Sequence, residues 1–247
     1  MEENLADHQI KQWRNMYLIG GYAAFLAFSG TLFDIIFGSI TSGDLSELPQ
    51  TAIERFSEFQ QNWFLGLYHL DILNLIIAII MIPVYFALFA VHRERNLAYA
   101  AFAMVLSFIG TIIFISTNTA LPMFDLSLKY YSVADEGQKH LIAAAGEAML
   151  ARGGHGGLGV FIGFVFTTIA NICMSLVMLN GRIFNKITSY FGIIGYTLLL
   201  MYILLVTFAP KIQNIAAVIA APGGLLALAW VLMVGIKLIK MGVIDKK

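Results

Sequence analysis

Six apolar runs dominate this 247-residue chain, and each is long enough to cross a lipid bilayer. A helix needs about 20 apolar residues to span the hydrocarbon core, where only helices and closed barrels satisfy every backbone hydrogen bond. The runs lack the alternation of apolar and polar residues that marks barrel strands. The sequence therefore predicts an all-α polytopic membrane protein, one bundle of six transmembrane helices with spans at about 16–40, 63–91, 97–121, 155–179, 187–208 and 212–241.

Composition agrees with this class and excludes others. Hydrophobic residues make up 59% of the chain and charged residues 12%, which is about half the charged share of an ordinary soluble domain. The 15 basic residues balance the 15 acidic ones and form no basic run, so nucleic acid is not an expected partner. The expected partners are the lipid bilayer and a small-molecule or lipid ligand.

Basic residues are unequally divided between the two ends of the predicted spans. If the N-terminus is inside, ten Lys and Arg residues lie in the inner segments and five in the outer ones. Positive residues favour the cytoplasmic side, so we expect a multi-pass protein of the cell (inner) membrane with both termini in the cytoplasm. Both long connectors then face outward, with a short surface helix expected at 51–61 and a second surface helix at 135–152. A lid function is open for the second helix.

Polar side chains inside the apolar runs gather in the outer half of the predicted bundle. Asp71 lies roughly 12 Å below the outer boundary of its span, at 1.5 Å per helical residue. An ionisable group inside hydrocarbon is by default a candidate functional residue, because burying its charge there is costly. The candidate ligand-binding residues at this depth are Asp34, His69, Asp71, Asn74, Asn118 and His155.

Helical geometry decides which of these residues can act together. Asp71 and Asn74 are three residues apart and share one helix face, whereas His69 lies about 200° around the helix from Asp71. We therefore expect Asp71 and Asn74 to act as one unit, with His155 facing them across the bundle. His69 is expected to be a satisfied histidine near the membrane interface.

Three functions are open at this point. The first is the binding or transport of a small ligand or ion in an outward-facing polar pocket. The second is a structural or accessory membrane subunit, in which Asp71 and Asn74 pack as a polar knot, Asp34 reaches water near its helix end and Asn118 ends its helix. The third is an intramembrane metal-dependent hydrolase of a lipid-type substrate, which needs three ligands from several helices. The sequence contains no catalytic or cofactor motif and specifies neither cofactor nor oligomeric state.

Prolines and glycines are expected to shape individual spans. The run 63–91 exceeds the thickness of the bilayer, so it should tilt, project or kink at Pro83. Pro222, followed by two glycines, is expected to kink or break the sixth span. Gly159 and Gly163 are spaced for close helix–helix approach.

Several short motifs carry a resemblance to a known family. They are Asp71, Tyr85 to Phe89, Arg95 to Phe102, Ala148 to Leu150, His155, Gly159 to Gly163, Gly181 to Phe184 and Phe191 to Tyr196. Over most of its length the chain resembles a large prokaryotic family of six-helix membrane proteins catalogued only as a domain of unknown function. In that family an Asp on the second helix and a His opening the fourth recur, which implies a role for Asp71 and His155. The chain departs from the pattern at 183–186, which lacks the usual proline, and His69 lies outside it. The resemblance implies an architecture and no reaction.

Overall fold

The computed structural model describes residues 2–41, 48–153, 158–209 and 212–243, and these residues form helices and no strand. The all-α polytopic class predicted from the sequence is confirmed. In the described ranges the helices are α1 (Glu2–Thr41), α2 (Ala52–Gln61), α3 (Trp63–His69), α4 (Ile72–Thr117), α5 (Ala120–Ser132), α6 (Glu136–Gly153), α7 (Leu158–Gly181), α8 (Lys186–Phe208) and α9 (Gln213–Val243).

The long helices form a ring of contacts around an apolar core. In the part of the chain that is described, five helical stretches are long and apolar enough to cross a membrane: 11–41, 72–132, 160–181, 186–208 and 218–243. α1 packs on α4, α4 on α7, α7 on α8, α8 on α9, and α9 on α1. Large side chains such as Trp230, Tyr85, Leu88 and Met174 are buried between them.

α4 folds back on itself. Its 46 residues would extend about 70 Å at 1.5 Å per residue, more than twice the thickness of the hydrocarbon core. Asn96 leaves the helical conformation, with φ −141° and ψ 47°. Tyr85 before this point interacts with Ser107 after it, and both halves of the helix contact α7. The count of six crossings stays a prediction, and this reversal supports it.

One end of the bundle holds the basic residues that we expect in the cytoplasm. Arg14 donates a hydrogen bond of 3.3 Å to the carbonyl of Gly242, joining the first and last helices. The Arg93 guanidinium lies 3.9 Å from the ring centroid of Trp13. Arg95 donates to the last carbonyl of α7 at 2.9 Å. The first turns of the α1 membrane segment and the end of α9 therefore lie at the same end of the bundle. The cytoplasmic location of this end stays a prediction.

The other end carries a cap of four short helices, α2, α3, α5 and α6. The cap has a hydrophobic core of its own, formed by Ala52, Phe56, Phe59, Leu70, Ala120 and Met123. α2 and α6 coincide with the surface helices expected at 51–61 and 135–152, while α5 was not predicted. α2 begins with a capping box: Glu54 N–H donates to the Thr51 hydroxyl at 3.3 Å, and Thr51 N–H donates to the Glu54 carboxylate at 3.0 Å. Whether α6 acts as a lid stays a prediction.

Proline does not break the helices where the sequence indicated. α9 runs as one helix through Pro222, and the only non-helical residue inside α4 is Asn96, not Pro83. Proline is tolerated inside membrane helices because neighbouring groups satisfy the carbonyl that it frees. The run 63–91 does not form one continuous helix, because it is divided into α3 and α4 at Leu70 and Asp71. The depth of roughly 12 Å, which was counted for Asp71 along a single helix, therefore does not apply.

Two glycines allow helices to approach closely. A Cβ at Gly163 would lie 3.1 Å from Phe114, which places α7 directly on α4. A Cβ at Gly192 of α8 would overlap the Ser175 hydroxyl and lie 2.6 Å from the Trp230 indole. Gly192 therefore fixes the spacing of α7, α8 and α9, which all meet at this point.

Candidate ligand site at a helix break

The candidate site is built around the break between α3 and α4. α3 ends at His69, and Asp71 adopts the left-handed conformation with φ 64° and ψ 25° immediately before α4. Aspartate is among the few residues other than glycine that visit this region, and residues held there cluster at functional sites. The left-handed conformation of Asp71 turns the chain, so α3 and α4 run in different directions.

Polar contacts on the bundle side of the break connect it to α1 and α4. The Tyr68 hydroxyl lies 2.9 Å from a carboxylate oxygen of Asp34 and 3.1 Å from the Asp34 carbonyl, to either of which it can donate. The Asn74 amide donates to the Asp71 carboxylate at 3.1 Å. The sequence prediction that Asp71 and Asn74 are neighbours on one turn agrees with this geometry.

Contacts on the other side connect the break to the cap. His69 Nδ1 lies 2.5 Å from Glu58 Oε1, and Arg55 donates to the same carboxyl group at 3.1 Å. Burial would raise the pKa of Glu58, but the hydrogen bond with His69 and the positive charge of Arg55 hold that pKa below its ordinary value. The Asn118 amide donates to the Leu70 carbonyl at 3.0 Å, satisfying an acceptor that the helix break leaves without a helical partner.

Asp34, Asp71 and Asn74 line one cavity of about 670 Å³, which we call the outer cavity. Tyr68 and Tyr202 also line it, together with His69 and the small residues Gly38, Ser39, Ala220, Ala221 and Gly224. Two carboxylates, those of Asp34 and Asp71, therefore border one cavity.

The remaining predicted residues lie elsewhere. Asn118 ends α4 and bonds the Leu70 carbonyl, and it is not among the described residues that line the outer cavity. His155 lies outside the described residues. Across the described ranges, no three His, Cys, Asp or Glu side chains are grouped as they would be to hold a metal ion.

Sequence reasoning missed three residues that the structure places at the site. Tyr68 directly precedes the candidate His69, and a hydroxyl next to that residue was a signal that the sequence already contained. Glu58 lies in the surface helix expected at 51–61, and nothing in the sequence shows that this helix folds onto the break. Tyr202 lies in the fifth apolar run, and no local signal distinguishes it from a lipid-facing tyrosine.

Comparison with known protein families now adds to this geometry. The family described as Domain of unknown function (DUF4386) matches residues 18–235, which is most of the chain. The chain belongs to the DUF4386 family. This confirms the resemblance drawn from the sequence motifs, and the matched range contains the break, the cap and the outer cavity. Neither the curated proteins nor the solved structures searched include a match to this chain.

Proposed function

We propose that this member of the DUF4386 family binds a small ligand or ion in the outer cavity, either to carry it across the membrane or to respond to it. The single observation behind the proposal is that Asp34, Asp71 and Asn74 line one cavity of about 670 Å³. This volume is within the range of small-molecule sites, about 300–1,000 Å³. The residues that the sequence marks as costly to bury therefore share one space large enough for a ligand.

The charge of the wall favours a cation. Asp34 and Asp71 contribute two carboxylates to this wall. Asp71 is 7% exposed, so water screens its charge only weakly. Hydroxyls of Tyr68 and Tyr202 supply neutral oxygen atoms next to the carboxylates. A monovalent inorganic cation or a small organic ammonium group matches this combination of oxygen atoms and negative charge.

A structural role is the second candidate, and one observation favours it. Four consecutive residues of the break each bond a different partner: Tyr68 bonds α1, His69 bonds the cap, the Leu70 carbonyl bonds the end of α4, and Asp71 bonds Asn74. Such a junction holds the cap on the bundle whether or not a ligand binds. Under this alternative, the double variant Asp71→Gly with Asn74→Ala unfolds at a lower Tm, and no cation raises the Tm of the unaltered protein.

Thermal unfolding of the purified protein separates the two candidates. The probes are Na⁺, K⁺, ammonium, guanidinium and tetramethylammonium at equal ionic strength, with the bulky cation N-methyl-D-glucamine as the reference. A cation that binds the folded state at 100 times its Kd stabilises it by about 2.7 kcal/mol. We expect at least one probe to raise the Tm of the unaltered protein and to lose this effect in Asp71→Asn.

The matched control is Asp125→Asn, which removes an exposed carboxylate of α5 that pairs with Lys129 outside the cavity. This variant should keep the full cation-induced shift. If all five cations leave the Tm of the unaltered protein and of Asp71→Asn equally unchanged, cation binding in the outer cavity is wrong.

A further inference from the structure

We propose that the bundle contains a second polar site, an inner chamber filled with water, that opens into the outer cavity past Asn74. The proposal concerns hydration and access, and it holds whether or not the outer cavity binds a ligand. It assigns a role to buried hydroxyl and amide groups that the outer cavity does not use.

The wall of the inner chamber contains several polar side chains although it lies between membrane helices. The chamber measures about 190 Å³, and its polar lining includes Tyr85, Ser107, Thr111 and Asn171. Ser107 is 3% exposed and Thr111 is 2% exposed. The Tyr85 hydroxyl lies 2.5 Å from the Asn171 side-chain oxygen. A cavity of this size with several polar groups in its wall is hydrated rather than empty, because one water needs about 30 Å³ and a few polar partners.

The chamber lies near the middle of the bundle. Ser107 is 11 residues beyond the turn at Asn96 and ten residues before Thr117 at the end of α4. At 1.5 Å per residue it is therefore about 15 Å from either end of this half of α4. Water in the chamber would bring polar surroundings to a depth that is otherwise hydrocarbon or packed apolar side chains.

Asn74 connects the chamber to the outer cavity. Among the described residues it lines the outer cavity, the inner chamber and a crevice of about 400 Å³ between them. Asp34 and Tyr202 are shared by the outer cavity and the crevice, while Asn171 and Tyr196 are shared by the crevice and the chamber. The three spaces are therefore neighbours, and the Asn74 side chain lies at their common boundary.

The neighbouring carboxylates favour the entry of cations over anions along this route. A cation passing from the outer cavity to the chamber first meets Asp34 and Asp71 and then the neutral oxygens of Tyr85, Ser107 and Thr111. Ag⁺ is a suitable probe because it is a small cation and reacts with the thiolate form of cysteine. A thiol forms its thiolate in water and not in hydrocarbon, so reaction with Ag⁺ reports a hydrated path.

The test uses cysteine reporters in the full chain, reconstituted in lipid nanodiscs so that both faces of the protein meet the solution. The background is Cys173→Ser, which removes the single native cysteine. Ser107→Cys reports the chamber, and Ile112→Cys is the control, since Ile112 lies five residues along the same helix and is 64% exposed on the bundle surface. Ag⁺ is applied in chloride-free buffer, and the remaining thiol is then measured with a fluorescent maleimide after denaturation.

We expect Ag⁺ to block the thiol of Ser107→Cys at a rate at least about ten times that of Ile112→Cys. The reason is that only the chamber supplies the water in which a thiolate forms. Adding Asn74→Leu should slow the reaction by a similar factor by closing the route. Asn74→Ala, which widens the route and also loses the amide, should leave the rate unchanged or raise it. Size-exclusion profiles confirm that the variants compared are folded.

Two outcomes overturn the proposal. If Ser107→Cys reacts no faster than the lipid-facing control, the chamber is dry. If Asn74→Leu and Asn74→Ala react equally fast, water does not reach the chamber past Asn74. Neither outcome bears on cation binding in the outer cavity, which the Tm measurements with Asp71→Asn test separately.

Discussion

Replacing Asp71 by alanine should destabilise the protein more than replacing it by glycine, the reverse of the usual order inside a helix. Both variants lose the carboxylate and its hydrogen bond from Asn74, so these losses cancel in the comparison. What differs is the left-handed backbone at φ 64°, which glycine adopts freely and alanine does not.

The size of this difference follows from the backbone. A left-handed conformation costs a residue with a Cβ about 1–2 kcal/mol. Part of this advantage of glycine is lost, because a chain with glycine is more flexible when unfolded. Folding it therefore costs about 0.4–1 kcal/mol more than folding the chain with alanine. The net expectation is that Asp71→Gly is more stable than Asp71→Ala by about 1 kcal/mol, which is a Tm difference of about 2–4 °C for a chain of this length.

A thiol-reactive dye provides the assay, because the chain has one cysteine and Cys173 is only partly exposed in the folded protein. Heating detergent-solubilised protein with the dye gives a Tm as Cys173 becomes accessible. The matched control is the same pair of substitutions at Asp125, an exposed position inside α5. There alanine should be more stable than glycine by about 1 kcal/mol, so the sign of the difference should reverse between the two positions.

Equal Tm values for the two Asp71 variants, or a higher Tm for alanine, would refute the left-handed conformation at the break. The same result would remove the reason for a break between α3 and α4 at this residue. A reversal of sign at Asp71 relative to Asp125 would support both.

Three other predictions use Tm or chemical unfolding as the measurement. Gly192→Ala should cost about 1–3 kcal/mol, since its Cβ would overlap side chains of α7 and α9, whereas Gly224→Ala meets no atom within 4 Å and should be neutral or stabilising. Asn118→Ala should cost about 1–3 kcal/mol by leaving the carbonyl at the break without its donor; no loss would show that water replaces the amide. Because the folded-state pKa of Glu58 is below the ordinary value, its stabilisation is complete above about pH 4.3 and is lost as pH falls through the folded-state pKa. The Tm of the unaltered protein should therefore fall more steeply in acid than that of Glu58→Gln, and parallel curves would contradict this contribution.

Local neighbours were readable from the sequence, but the partners of most polar residues were not. The three-residue spacing of Asp71 and Asn74 makes them neighbours, whereas the depth of Asp71 was counted along a helix that the structure divides at Leu70 and Asp71. Nothing local shows that the Leu70 carbonyl needs a donor or that Asn118 supplies it from 48 residues away. Hydrogen bonds between distant helices depend on how the chain folds back, which hydropathy does not encode.

The prolines also show that local sequence signals did not predict where the helices are interrupted. The sequence marked Pro83 and Pro222 as the points of distortion because each removes a backbone donor. The chain instead breaks at Asp71, a residue with a donor, because contacts to α1, the cap and Asn118 hold the break open. A backbone conformation that costs energy locally persists when several tertiary contacts support it.

The sequence by itself determined that this is a helical membrane protein, since apolar runs of this length leave the backbone no other way to satisfy its hydrogen bonds in lipid. It also determined which ionisable residues are costly to bury. Only the tertiary structure decided that Asp34 and Asp71 line one cavity, that Glu58 pairs with His69, and that Asn74 borders the inner chamber. The physical reason is that a local pattern fixes the period and face of a helix, whereas a cavity forms where residues far apart in the chain leave space between them.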